Sequence, residues 1–239
     1  MSIDKLIDLF REVEEYVWSK SIKPVKASTL ADYYWCSRRS YLTFIFENSP
    51  NEVEDEAGVD LNELLVSNLR AVEEGSAFHG ASYGFYVRVM EEPPREVAVA
   101  KALMGEVLPR NLETSFGVFQ VQGAIDEIEV EDDGCVIREL KTTNRDRISK
   151  YSLAPARLQV KIYGWLISRY MPVKKLEIVF INRSSLKTLH EEVLEFNEVD
   201  VEREIMKIIR DYKLKSLKEP IKWKCDLCRL RDLCRRIFG

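Results

Sequence analysis

The sequence predicts an α/β or α+β domain in which a small mixed β-sheet is flanked by helices. Three observations point there. Apolar residues recur at three- and four-residue steps through most of the first 90 positions, the period drops to two between 96 and 140, and helical periodicity returns after 154 with two more strand-like runs inside it.

The elements follow in order. Ile3, Leu6, Ile7, Phe10, Val13 and Val17 make the stripe of an amphipathic helix over 3–18, which Pro24 closes. A second helix is expected from Ser28 or Thr29 through Ile45, with Cys36 in its middle and an end before Pro50. The acidic stretch 51–60 reads as a loop, and 61–90 as a third helical region that contains His79. Residues 96–102 and 118–130 alternate as strands, 131–134 turns, and 135–140 returns as the second strand of a hairpin. A helix over 154–170, strands at 175–182 and 188–196, a helix over 200–217 and a short basic, cysteine-bearing tail complete the chain.

With 239 residues, 46 % of them hydrophobic, the chain buries one substantial core. We divide it into an N-terminal helical segment (1–60), a core (61–200) and a C-terminal helix with its tail (201–239). No apolar run is long enough to span a membrane, and the first 20 residues mix charges with hydrophobics, so a cytoplasmic location is expected. Net charge is only −4 but unevenly spread. Residues 47–133 hold 20 acids and 5 bases, residues 141–187 hold 2 acids and 11 bases, and residues 201–239 hold 6 acids and 12 bases. An acidic, metal-attracting pocket beside a basic face for phosphates fits this pattern, as does a solvated surface.

Chemistry concentrates at the hairpin. Counting outward from the turn brings Asp126 and Glu139 to neighbouring strands, and the period of two sends Glu139 and Lys141 to one side. Two carboxylates suit a hard divalent cation, Mg²⁺ or Mn²⁺, which lowers the pKa of a bound water and neutralises charge on a phosphate. A lysine beside them orients the attacking water or stabilises the transition state. The same triplet also reads as an exposed cross-strand salt bridge. His79 is an additional ligand candidate or a core histidine. Gln159 and Tyr163, four apart on one helix face, suit hydrogen bonding to substrate and holding the lysine, whereas the nearby Trp165 reads as core.

Taken together, Gly75-x-x-x-His79, Gly123-x-x-Asp126, Glu139-x-Lys141 and Gln159-x-x-x-Tyr163 resemble, in order and spacing, the RecB-like nucleases over roughly residues 75–170. The resemblance implies a restriction-endonuclease-like core in which His79, Asp126 and Glu139 bind the metal, Lys141 assists hydrolysis, and Gln159 and Tyr163 support substrate binding.

Four of the five cysteines form a second pattern. Cys225-x-x-Cys228 and Cys234 close the chain, Cys36 lies far upstream, and Cys135 stands alone as a buried hydrophobe. A two-residue gap lets both thiolates face one metal centre, and the spacing suits tetrahedral zinc or an iron–sulfur cluster. Cys36-Ser-Arg-Arg-Ser-Tyr41-Leu42 ahead of the core, with three cysteines behind it, resembles the CRISPR-associated nucleases of the fourth Cas family. That family often carries Pro where Ser37 stands. The resemblance implies a structural cluster held by Cys36, Cys225, Cys228 and Cys234, with 4Fe–4S favoured over 2Fe–2S. It also implies a 5′ to 3′ exonuclease for single-stranded DNA or overhangs that trims DNA for spacer acquisition alongside CRISPR integrase proteins. Arg38, Arg39, Lys161, Lys222 and Lys224 are candidate DNA contacts. Two other readings are a nuclease of DNA repair or replication, without a motor of its own because no Walker loop occurs, and a non-catalytic, metal-stabilised DNA-binding subunit.

Overall fold

A computed structural model describes residues 2–58, 61–65 and 87–239. Most of the expected third helical region lies outside the described residues, and His79 with it.

Helix α1 (Ile3–Ser19) forms as the stripe predicts. The Ser2 hydroxyl caps it by accepting from the Lys5 amide, and Leu6, Leu9, Phe10, Val13 and Val17 are buried. Pro24 does not merely close this helix. It lies inside a strand, β1 (Ile22–Lys26), which pairs in parallel with Gly117–Ala124 at the edge of a sheet, where a missing amide donor is tolerated.

The expected second helix is broken. Helix α2 (Ala27–Ala31) runs into a 3₁₀ turn (Asp32–Tyr34), and α3 (Ser37–Glu47) starts afresh. Cys36 is therefore the extended N-cap of α3 (φ −161°, ψ 110°) rather than a mid-helix residue. The acidic stretch after Pro50 is a helix, α4 (Asn51–Ala57), closed by Gly58 in the left-handed conformation (φ 64°). Glu52 and Glu54 in its first turn complement the helix dipole. Helix α5 (Leu61–Leu65) follows.

Residues 96–102 are also helical, within α6 (Arg95–Leu103). Their alternation is real, but Ala98 and Ala102, four apart, are the residues that become buried. Strand β2 (Val107–Thr114), which the period-two count does not reveal, pairs with β3 (Gly117–Ala124). The run at 118–130 then divides between β3 and β4 (Glu127–Glu131), so the single expected sheet is two. One has the order β1-β3-β2. The other has the order β4-β5-β6-β7, with β5 (Gly134–Thr143), β6 (Val173–Asn182) and β7 (Thr188–Leu194). Strands β5 and β6 pair in parallel, while β4 and β7 join them antiparallel, which gives a mixed sheet.

Helix α7 (Lys150–Ser168) ties the halves together by packing on β3 of one sheet, on β5 and β6 of the other, and on α2. Trp165 is fully buried there. Helix α8 (Glu198–Lys213), capped by Asn197, packs on α7, and two short helices, α9 (Lys222–Asp226) and α10 (Arg231–Phe238), end the chain. Helix α10 lies against α1 and α3, so both ends of the chain meet on one side of the core. No helix among the described residues is long and apolar enough to cross a membrane.

Candidate active site and cysteine cavity

The hairpin delivers its carboxylates as a consequence of register. Glu127 faces Arg138, so the next pair outward is Asp126 and Glu139. Asp126 sits at the break between β3 and β4, where the chain leaves one sheet for the other, and its Oδ2 accepts from the Leu140 amide at 3.0 Å. Asp126 is exposed, whereas Glu139 is fully buried.

Lys141 stands two residues beyond Glu139 on the same face, and its ammonium meets Glu139 Oε1 in an ion pair. The same Nζ donates to Gln159 Oε1 at 2.9 Å, and Gln159 Nε2 donates to the Tyr163 hydroxyl at 2.7 Å. The sequence motifs on β5 and α7 thus form one chain, Glu139–Lys141–Gln159–Tyr163. Gly123 makes room for it, because a Cβ there would come within 2.8 Å of the Tyr163 ring.

Electrostatics single out Glu139. Burial pushes its carboxyl up to about 8, Lys141 counteracts that, and Asp126 raises it further. Among the described residues neither carboxylate oxygen has a hydrogen-bond partner, and Oε1 meets Lys141 as an ion pair. A buried acid left in this state is costly unless a cation or proton completes it. Burial works to lower Lys141, but Glu139 and then Asp126 hold its ammonium above the usual range, so it stays charged. Asp32 in the 3₁₀ turn adds to that effect, a neighbour that no sequence spacing announced. Burial, with Glu139 and Asp126 nearby, raises Tyr163 well above the phenol range, so its hydroxyl keeps its proton.

Among the described residues no three of His, Cys, Asp and Glu stand close enough to hold one metal ion. Among the described residues the carboxylate donors here are Asp126 and Glu139, and His79 is not among the described residues. Two carboxylates, one buried and with an unpartnered oxygen, nevertheless suit a hard divalent cation.

The four cysteines of the second pattern converge. Cys36, Cys225, Cys228 and Cys234 line one cavity of about 230 Å³. Cys135 is buried apart from them in β5. All are free thiols. Burial pushes Cys234 up to about 11, assisted by Cys36 and opposed by Arg38, and burial also raises Cys228, against the Leu230 backbone and Arg39. The four thiols share this cavity, but as placed they do not stand close enough together to hold one metal ion. Arg38, Arg39 and Lys224 line the same cavity, Lys222 is exposed beside it, and Lys161 is half-buried on α7. Lys224 itself is only 5 % exposed.

A family model for the PD-(D/E)XK nuclease superfamily matches residues 87–235, a span that holds both carboxylates, the lysine and three of the four converging cysteines. The chain belongs to the PD-(D/E)XK nuclease superfamily. A nuclease of this superfamily is a hydrolase that acts on DNA, and two small mixed sheets flanked by helices are consistent with its restriction-endonuclease-like fold. Among solved structures, a crystal structure of SSO0001 superposes with a TM-score of 0.54 at 19 % identity, covering 98 % of this chain and 96 % of that one. That likeness is one of fold. No curated protein matches the chain.

Proposed function

We propose that this superfamily member is a Mg²⁺- or Mn²⁺-dependent DNA exonuclease whose centre is Asp126, Glu139 and Lys141. The observation that carries the reading is the buried Glu139 carboxylate, held beside Asp126 and paired with Lys141 but without a hydrogen-bond partner among the described residues. A divalent cation held by Asp126 and Glu139 would supply a water of lowered pKa and charge neutralisation at the phosphate. Around it the residues have separate tasks. Lys141 keeps its proton and places a positive charge where the scissile phosphate gains negative charge. Gln159 fixes the lysine, and Tyr163 fixes Gln159 from the buried side. His79 is the proposed further ligand.

The same proposal assigns an iron–sulfur cluster, 4Fe–4S rather than 2Fe–2S, to Cys36, Cys225, Cys228 and Cys234. Four thiols facing one cavity support it, as does the arginine surround that offsets an anionic centre. With the resemblance of the cysteine pattern to the fourth Cas family, this favours 5′ to 3′ trimming of single strands or overhangs for CRISPR spacer acquisition, with integrase proteins as partners.

The test uses the full chain with Mn²⁺ and single strands labelled at either end. The wild type releases product from the 5′ end, while Asp126→Ala and Lys141→Met leave the strand intact but retain the iron content of the wild type. Cleavage by Asp126→Ala at the wild-type rate would overturn the site.

A further inference from the structure

Three aromatic rings that the cleavage chemistry does not use meet beside the cysteine cavity. Trp35 precedes Cys36, Trp223 lies in α9 two residues before Cys225, and Tyr151 is the second residue of α7. The Trp35 and Trp223 rings stand 5.5 Å apart at 83°, and Tyr151 meets Trp223 at 5.5 Å and 62°. Lys224 runs behind them. Its Nζ is 4.3 Å from the Trp35 centroid, 4.8 Å from Tyr151 and 5.9 Å from Trp223, and it donates to the Trp35 carbonyl.

The cage fixes the rings, because edge-to-face contacts and a central ammonium both set ring orientation. Yet Trp223 remains 41 % exposed, so a large, rigid apolar surface faces solvent. Its surroundings are cationic. Lys222 is its exposed neighbour, and Lys150 is exposed with its ammonium 5.3 Å from the Tyr151 centroid. Arg145 and Arg147 are exposed on the connection from β5 to α7. That connection starts after Thr143, two residues beyond Lys141, and ends at Lys150, next to Tyr151, so it runs from the cleavage site to the rings. Along α7, Gln159 lies eight residues from Tyr151, about 12 Å at ~1.5 Å per residue. This equals three to four nucleotides of a stacked strand at about 3.4 Å each.

Resting on the nuclease reading above, we propose that the exposed indole of Trp223, braced by Trp35, Tyr151 and Lys224, stacks an unpaired nucleobase of the DNA strand about three to four nucleotides from the cleaved phosphate. Lys222, Lys150, Arg145 and Arg147 follow the intervening phosphates. The occupant is a base rather than an apolar peptide because basic side chains border the ring, and it is unpaired because only an unstacked base offers a free π face.

The test measures binding of the full-length chain to a labelled oligodeoxythymidylate in EDTA, by fluorescence anisotropy. Trp223→Leu keeps an apolar side chain over Lys224 and is expected to weaken binding about tenfold, while Trp223→Phe stays within about threefold. A single abasic nucleotide is then moved along the strand. With the wild type, one position weakens binding as much as Trp223→Leu does, and at that position the variant loses nothing more. The wild-type abasic profile is independent of how any variant folds. A flat profile, or equal losses for Trp223→Leu on intact and abasic strands, overturns the platform. Equal loss on a blunt duplex also overturns it. A stacking profile in a protein that does not cut with Mn²⁺ sinks the nuclease reading alone, and cutting with a flat profile sinks the platform alone.

Discussion

Replacing Glu139 by glutamine keeps the shape of the side chain and removes its titration, which makes it the sharpest probe of the site. Burial lifts the carboxyl from 4.5 to about 8. Below 4.5 the folded and unfolded chains both hold the proton and nothing is lost. Between 4.5 and about 8 the folded chain keeps a proton that the unfolded chain has released, so stability of the metal-free protein falls as pH rises. Each pH unit is worth about 1.4 kcal/mol, so the loss reaches roughly 5 kcal/mol across the window and stays constant above it. Glutamine does not titrate. Urea unfolding in EDTA at pH 5, 7 and 9 should show the wild type losing stability relative to Glu139→Gln by about 3 kcal/mol at pH 7, before the full difference is reached. Adding Mn²⁺ at a hundred times its dissociation constant should return about 2.7 kcal/mol to the wild type and almost nothing to the variant. Parallel pH profiles for the two proteins would refute the reasoning, because they would mean that the carboxylate is solvated or already satisfied.

Three further outcomes follow from the same contacts. Gln159→Leu releases the lysine without touching the carboxylates, so kcat should fall about tenfold to a hundredfold while metal affinity holds, measured by steady-state cleavage and Mn²⁺ titration. Gly123→Val drives a side chain into the Tyr163 and Leu166 positions and should lower stability by about 1–3 kcal/mol, read from the urea midpoint. Cys36→Ala removes one of four thiols lining the cavity, and the purified protein should lose its brown absorbance and most of its iron. Retention of stoichiometric zinc in the wild type would reject the iron–sulfur assignment.

Much of the half that carries the candidate site was legible because period-two alternation survives in a half-buried sheet. The β4–β5 hairpin, the pairing of Asp126 with Glu139 and the shared face of Lys141 all follow from counting residues outward from the 131–134 turn. Other segments were misread for identifiable reasons. Residues 96–102 alternate Val with Ala and charge, and a helix wins there because Ala, Glu and Lys favour it and burial falls on Ala98 and Ala102. Strand β1 contains Pro24 and a buried Lys23, neither of which resembles a strand until β3 is available to pair with it. The break before Cys36 has no glycine or proline to announce it. Tertiary demands set it, since an extended Cys36 at a helix N-terminus turns its thiol toward cysteines almost two hundred residues away. The Asp32 neighbour of Lys141 and the Trp35–Trp223–Tyr151 group were invisible for the same reason.

The split of the sheets explains why one helix governs the site. Asp126 occupies the junction where the chain passes from β3 to β4, so its position relative to Glu139 depends on how the two sheets are held. Helix α7 holds them, because it packs on β3 on one side and on β5 and β6 on the other. It also supplies Gln159 and Tyr163, so the helix that fixes the carboxylates is the one that fixes the lysine. Its N-terminal end is anchored separately, through the contact of Tyr151 with Trp223 and Lys224, and those residues belong to the segment that carries Cys225 and Cys228. Helix α7 therefore connects the cysteine cavity to the proposed cleavage site. Losing order at the cavity should first disturb the stacking surface at the start of α7 and only then the Gln159–Lys141 bond about 12 Å farther along it.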